Sequence, residues 1–73
     1  MLEHLRGLRE DRDINQSEMA SMLNIHQTTY SNYELGKGNI PLPTLIRLAQ
    51  FFDTSVDYIV GLTDERRPYP RRK

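Results

Sequence analysis

Apolar residues recur along the chain in short helical patterns, which polar or glycine-containing stretches interrupt. Leu2, Leu5 and Leu8 lie three residues apart, and the positions between them are mostly charged or polar. This spacing predicts a first amphipathic helix of about three turns. The polar run 11–13 is expected to end that helix.

A capping signal opens the second predicted helix. Asn15 is a favoured N-cap residue, and Glu18 stands three residues later, where a capping box places its acid. Asn24 predicts the end of the helix and a sharp turn, because Asn accepts a left-handed backbone more readily than most residues. The apolar residues between them fall on one face: Met19, Ala20 and Leu23.

A third helix is predicted after a turn of only a few residues. It runs from about Gln27 to Leu35, with Tyr30 and Tyr33 as its apolar residues, and Gly36 begins the stretch that stops it. Two short helices joined this tightly must cross steeply, which is the helix-turn-helix arrangement. In that arrangement one helix braces against the DNA backbone and the other can enter the major groove.

Two further helices complete the pattern. Pro43 suits a first helical turn, and apolar residues follow at i, i+3, i+4 and i+7: Leu45, Leu48, Ala49 and Phe52. Thr54 or Ser55 would cap a short fifth helix that runs to about Val60 and ends at Gly61. No segment alternates apolar and polar residues for long enough to predict a strand. The sequence therefore predicts an all-α domain of five helices.

The third helix should expose small or polar side chains that suit the major groove: Gln27, Thr28, Ser31 and Asn32. Gln and Asn donate and accept hydrogen bonds together, which matches the edge of adenine, while Thr can contact the thymine methyl group and Ser several base edges. The simpler interpretation is an ordinary solvated helix face. That interpretation is weakened because the face lacks Lys and Glu and is rich in residues that favour helix caps.

Length and composition exclude several classes of protein to which the chain could otherwise belong. The 73 residues fit one domain, and the absence of cysteine excludes disulfides, thiolate metal sites and cysteine nucleophiles. No apolar run approaches the roughly 20 residues that span a bilayer, and the N-terminus lacks the apolar stretch of a signal peptide. We therefore expect a soluble, cytoplasmic protein.

The net charge of zero conceals an asymmetry. Residues 1–65 contain five basic and all ten acidic side chains, for a net charge of −5, whereas residues 66–73 contain the other five basic side chains and no acid. We divide the chain into a domain of residues 1–65 and a basic tail of residues 66–73, whose charges and prolines predict disorder. The domain lacks the overall basic character of many nucleic-acid binders, so DNA binding must rest on local chemistry.

Several separated segments resemble one known family in a common register. The chain is similar to the lambda-repressor-like family of Cro and xenobiotic-response-element-type regulators at residues 15–20 (Asn-Gln-Ser-Glu-Met-Ala), 23–25 (Leu-Asn-Ile) and 30–37 (Tyr-Ser-Asn-Tyr-Glu-Leu-Gly-Lys). The match continues at Leu45, Leu48, Ala49, Phe52 and residues 55–62. The resemblance covers roughly residues 5–62. It implies a compact five-helix fold with the helix-turn-helix at helices 2 and 3. It also implies sequence-specific binding of double-stranded DNA by a transcriptional regulator, here a repressor.

The resemblance also implies roles for individual residues. Gln16 and Lys37 match positions that contact DNA phosphates. Arg9 and Glu34 match an ion pair that ties helix 1 to the end of helix 3, for which the alternative is a loose surface contact. His26 departs from the Ser or Thr that usually caps helix 3 and is a weaker cap. The residues that match base-reading or groove-facing positions are Gln27, Thr28, Ser31 and Asn32.

Members of this family usually bind palindromic operators as two-fold dimers, with half-sites about one turn, roughly 34 Å, apart. The fifth helix and the residues after it have more apolar surface than one small core needs. We predict that this surface forms part of a homodimer contact, through Tyr58, Ile59, Val60 and Leu62. The alternative is that Ile59 and Val60 close the core. The basic tail is either a flexible arm that follows phosphates or a solubilising end.

An enzyme is not expected, because the sequence contains no glycine-rich phosphate loop, nucleophile elbow or metal cluster. We predict no cofactor, no metal, no membrane partner and no small-molecule substrate. Two distant histidines without cysteine do not make a metal site, and His4 is expected on the surface. The serious alternative function is a protein-interaction module on the same fold, such as an antitoxin or adaptor, which the acidic domain favours.

Overall fold

The computed structural model describes residues 1–70, and within that range the chain forms five helices and no strand. Each helix lies where the apolar spacing predicted one, so the prediction of an all-α fold is confirmed. The helices are α1 (Glu3–Asp11), α2 (Gln16–Leu23), α3 (Gln27–Leu35), α4 (Leu42–Phe51) and α5 (Val56–Ile59).

The predicted capping residues close the ends of α2 and α3. The Asn15 side chain accepts a hydrogen bond from the Glu18 N–H at 2.8 Å, and the Glu18 carboxylate accepts one from the Asn15 N–H at 2.9 Å. Asn24 ends α2 in the left-handed conformation, with φ 57° and ψ 45°. Gly36 ends α3 with φ 75°, a value that favours glycine. Both boundaries of α2 therefore follow from local sequence.

One hydrophobic core joins all five helices. Complete burial of one Leu, Ile or Met side chain contributes about 1.5–3 kcal/mol to the stability of the fold. α3 enters the core through Tyr30 and Tyr33, so the opposite face of α3 points away from the domain. The most deeply buried side chains are Leu5, Leu8, Met19, Tyr30, Leu48 and Ile59.

The α5 region differs in part from the predicted homodimer contact. Ser55 caps α5, because its hydroxyl accepts a hydrogen bond from the Tyr58 N–H at 3.0 Å. Ile59 is fully buried and belongs to the core, so it is not available to a second subunit. Tyr58 and Val60 are half-buried, and Leu62 is 77% exposed. Of the four predicted contact residues, these three present surface to the solvent.

His4, which was expected on the surface, is half-buried. Its ring stacks on Tyr58, with ring centroids 4.0 Å apart and ring planes within 7°. Its Nδ1 lies 2.7 Å from the carbonyl oxygen of Tyr58, and its Nε2 lies 3.2 Å from Asp64 Oδ1. These contacts fasten the start of α1 to α5 and to the segment that follows it.

The segment after α5 packs back onto the domain. The hydroxyl of buried Thr54 donates a hydrogen bond to the carbonyl oxygen of Arg66 at 2.6 Å, and Ser55, not Thr54, caps α5. Arg66 Nη1 lies 3.1 Å from Asp11 Oδ2, and the Tyr69 hydroxyl donates to Asp57 at 2.8 Å. Contacts with the domain therefore reach residues 66–69, past the predicted boundary at residue 65. Residues 71–73 of the predicted tail lie outside the described residues.

Candidate nucleic-acid interface

A three-residue turn, residues 24–26, joins α2 to α3. The Ile25 N–H donates to the carbonyl oxygen of Ala20 at 3.0 Å, and the Ile25 side chain packs against the core. His26, expected from the sequence to be a weaker cap than Ser or Thr, precedes α3 in an extended conformation, and its side chain makes no capping hydrogen bond. The turn therefore holds α3 against α2 by backbone bonding and by apolar packing.

The outer face of α3 is polar and is not engaged by the rest of the domain. Gln27 and Thr28 are exposed, and Ser31 and Asn32 are half-buried. Positions separated by three and four residues lie on one face of a helix, so the first turn and the second turn present these side chains together. No side chain of the four is hydrogen-bonded within residues 1–70. Their donors and acceptors are available to a partner.

Gln16 and Lys37 lie near the two ends of the helix-turn-helix in sequence. Gln16 is the first residue of α2 and is half-buried, and its Nε2 donates to Glu34 Oε1 at 3.1 Å. Lys37 is exposed just after Gly36, and its backbone N–H donates to the carbonyl oxygen of Asn32 at 2.9 Å. The sequence resemblance did not indicate the contact between Gln16 and Glu34, which are 18 residues apart.

Arg9 and Glu34 form an ion pair that joins α1 to the end of α3. Arg9 Nε donates to Glu34 Oε2 at 2.6 Å, and Arg9 Nη2 donates to Glu34 Oε1 at 3.2 Å. Arg9 Nη1 also donates to the carbonyl oxygen of Ile14 at 2.8 Å, next to the start of α2. The two side chains are 11% and 4% exposed, so this is a nearly buried bridge and not a loose surface contact.

Arg9, Tyr30 and Glu34 form a cluster in which each group has a shifted pKa. Burial alone would raise the pKa of Glu34, but hydrogen bonds from Arg9 and Gln16 outweigh it, so the pKa of Glu34 lies below its usual value. The hydrogen bond to Glu34 raises the pKa of Arg9. Burial first, and the nearby Glu34 carboxylate next, raise the pKa of the Tyr30 hydroxyl. At neutral pH the cluster therefore holds one paired anion, one paired cation and a neutral phenol.

Lys37 differs from the exposed arginines in its surroundings. It makes no ion pair within residues 1–70, and residues 27–33 include no acidic side chain. The outer face of α3 is thus neutral, with a cation following its C-terminus. The arginines contact other parts of the domain: acidic side chains for Arg6, Arg66 and Arg67, the carbonyl oxygen of Met22 for Arg47, and the ring of Phe51 for Arg12.

Residues 1–70 contain no group of three or more His, Cys, Asp or Glu side chains that could hold a metal ion. Across the same residues, every helix is too short or too polar to cross a membrane.

The sequence comparisons agree with this geometry. The family model described as Helix-turn-helix matches residues 5–59, which is most of the chain and includes all five helices at least in part. No solved structure matches the chain significantly.

Curated relatives carry similar descriptions. The chain is 38% identical over 71 residues to the uncharacterised HTH-type transcriptional regulator YobD of Bacillus subtilis. The alignment covers 97% of this chain and 63% of YobD. It is 36% identical over 57 residues to the cryptic phage CTXphi transcriptional repressor RstR of Vibrio cholerae, covering 78% of this chain and 51% of RstR. With the HTH-type transcriptional regulator AnsR of Bacillus subtilis the identity is 31% over 70 residues, covering 96% of this chain and 60% of AnsR.

The chain therefore spans between about half and two thirds of the length of these relatives. The family match covers the segment in which α2, the turn and α3 present an unengaged polar face. The expectation that this domain is not an enzyme agrees with the family match, because the family consists of non-enzymatic regulators. The chain belongs to the lambda-repressor-like helix-turn-helix family.

Proposed function

We propose that this chain is the DNA-binding domain of a transcriptional repressor, which reads the major groove with α3 and binds its operator as a homodimer. The observation that carries the proposal is the outer face of α3. Buried Tyr30 and Tyr33 anchor the helix, while the polar side chains on its other face have no partner within residues 1–70. A cytoplasmic location follows from this function.

The base-reading roles follow from side-chain chemistry. An amide that donates and accepts, as in Gln27 and Asn32, can bond to both polar atoms on the major-groove edge of adenine. The Thr28 methyl group can contact a thymine methyl group, and the Ser31 hydroxyl can bond to several base edges. Gln27 and Thr28 are the more exposed pair and lie in the first turn of α3, which is the part of a recognition helix that contacts bases.

Gln16 and Lys37 supply phosphate contacts in this proposal. Lys37 offers a cation that forms no ion pair with any residue of 1–70, and Gln16 offers an amide N–H that its bond to Glu34 does not use. Phosphate contacts fix the register of a protein on the duplex but carry no sequence information. Because the domain is acidic overall, the favourable electrostatic term must come from local cations such as Lys37.

The homodimer supplies the rest of the specificity. One α3 reads only a few base pairs, so two subunits on a palindromic operator would double the contacts. The surface proposed for the dimer contact consists of Tyr58, Val60 and Leu62, of which Leu62 is 77% exposed and apolar. An apolar side chain this exposed gains free energy when a second subunit covers it.

Selection of duplexes from a random pool, followed by salt titration of the selected operator, tests the proposal. We expect an enriched palindrome whose association constant falls steeply as salt rises, because binding to phosphates releases counterions. Absence of affinity for all duplexes at low salt would refute DNA binding. It would favour the alternative of a protein-interaction module, to which the net charge of −5 on residues 1–65 points.

A further inference from the structure

Gln16 and Glu34 connect the proposed phosphate contact to the buried ion pair. Gln16 Nε2 and Arg9 Nη2 both donate to the same atom, Glu34 Oε1, at 3.1 and 3.2 Å. Glu34 is only 3% exposed, whereas Gln16 is half-buried and therefore keeps part of its surface in contact with the solvent. A buried anion on α3 thus holds a side chain that reaches the surface from α2.

From this geometry we infer that Glu34 is a positioning residue for DNA binding, which orients the Gln16 amide toward a phosphate. The inference rests on the proposed DNA-binding function. An ionised carboxylate only accepts hydrogen bonds, so Gln16 must turn its NH₂ group, and not its carbonyl oxygen, toward Glu34. One N–H is used in that bond, and the second remains for an oxygen of the DNA backbone.

The orientation matters because a phosphate also only accepts hydrogen bonds. An unrestrained Gln side chain would turn its carbonyl oxygen toward the phosphate part of the time, and it would lose rotamer freedom on binding. Because Glu34 already fixes the orientation and the rotamer of Gln16 in the free protein, DNA binding loses neither orientation nor rotamer freedom at this side chain. Arg9 completes the arrangement, since its guanidinium neutralises an anion that would otherwise repel the phosphate.

A double-mutant cycle on the selected operator tests this inference. One arm is Gln16→Ala. The other arm replaces the ion pair together, Arg9→Met with Glu34→Leu, because exchanging both partners for apolar residues avoids leaving a buried charge unpaired. Gln50→Ala, at an exposed glutamine of α4, is the matched control. The association constant of each variant is measured as a function of salt, and its fold is checked by circular dichroism.

The expected pattern is non-additive. Gln16→Ala should weaken binding by roughly tenfold per subunit, the effect of losing a hydrogen bond to a charged group. Because the Gln16 amide is uncharged, its loss should leave the salt slope unchanged. The pair replacement should produce a similar loss, and adding Gln16→Ala to it should change nothing further. Gln50→Ala should bind like the wild type.

Additive losses would overturn the inference while leaving the proposed function intact, since Glu34 would then act on folding and not through Gln16. A wild-type protein without salt-dependent binding to any duplex would overturn both.

If the pair replacement does not fold, the side-chain amide signals of the wild-type protein in solution give the second measurement. The Gln16 amide protons should exchange more slowly than those of Gln50, and their chemical shifts should follow protonation of Glu34. A Gln16 signal that behaves like that of Gln50 would overturn the inference.

Discussion

Arg9 and Glu34 face each other across the junction of α1 with the end of α3, with Arg9 Nε 2.6 Å from Glu34 Oε2. The pair is nearly buried, and Arg9 also bonds to the carbonyl oxygen of Ile14 just before α2. One guanidinium on α1 therefore joins the end of α3 to the segment that leads into α2. Fixing the position of α3 in this way makes the stability of the domain and the placement of its outer face depend on the same two residues.

Removing one member of this pair should destabilise the domain strongly. Arg9→Met leaves a buried carboxylate without its cation, and Glu34→Leu leaves a buried guanidinium without its anion. Each single change should cost about 3–5 kcal/mol in the free energy of unfolding. The two changes together should cost much less, because no uncompensated charge remains. Urea unfolding at neutral pH measures all three, and a double variant as unstable as the single ones would contradict this view of the pair.

Acid should weaken the domain through Glu34. Its pKa in the folded protein lies below the ordinary value of 4.5, so the folded state favours the ionised carboxylate. The contribution is therefore complete above about pH 4.5 and is lost as the pH falls through the folded-state pKa. We expect the urea midpoint of the wild type to fall more steeply below pH 4.5 than that of the variant that lacks both Arg9 and Glu34. Parallel pH curves for the two proteins would refute the assignment.

Local sequence determined the helices and their ends because the physical causes are local. Asn15 and Glu18 close a capping box within four residues, and Asn24 and Gly36 adopt left-handed conformations that their own chemistry permits. The core-facing residues also follow from periodicity, which brought Tyr30 and Tyr33 inward and left Gln27 and Thr28 outside. The helices, most of their ends and their core-facing residues could therefore be predicted from positions a few residues apart.

Contacts between distant segments were not predictable in this way. His4 stacks on Tyr58 across 54 residues of sequence, and neither residue carries a local signal for that contact. Composition placed Arg66 in the basic tail and gave no indication of its contacts with Asp11 and Thr54. Ile59 illustrates the same limit, because apolar residues of a short helix suit a core and a subunit contact equally well until packing decides.

The N-terminus of α3 offers a site for added stability. His26 occupies the N-cap position with an extended backbone, and its side chain makes no capping hydrogen bond. In His26→Ser the hydroxyl should accept an N–H of the first turn and stabilise the domain by about 1 kcal/mol. His26→Ala, which has no oxygen to offer, is the control. Equal urea midpoints for the Ser and Ala variants would show that a cap cannot form here.

Gln27 and Lys37 should differ in how their loss affects DNA binding. Gln27→Ala should cost about 1–3 kcal/mol on the best operator and relax the preference at one base pair, because it removes a base contact. Lys37→Ala should weaken binding to all duplexes alike and lower the salt slope by about one. Binding titrations on the operator and on its single-base variants, at several salt concentrations, separate the two effects. A Gln27→Ala protein with unchanged sequence preference would contradict a base-reading role.

Leu62 tests the proposed homodimer without disturbing the core. The side chain is 77% exposed, so Leu62→Glu should leave the fold unchanged. If Leu62 lies in the dimer contact, the change places a charge where a second subunit must exclude water, and unpaired charges are costly to bury. Sedimentation on operator DNA should then show one subunit per duplex at concentrations where the wild type binds as two. Met22→Glu, at a 41%-exposed apolar residue of α2, is the matched control and should still bind as two subunits. A Leu62→Glu protein that also assembles as a pair on the operator would place the dimer contact elsewhere.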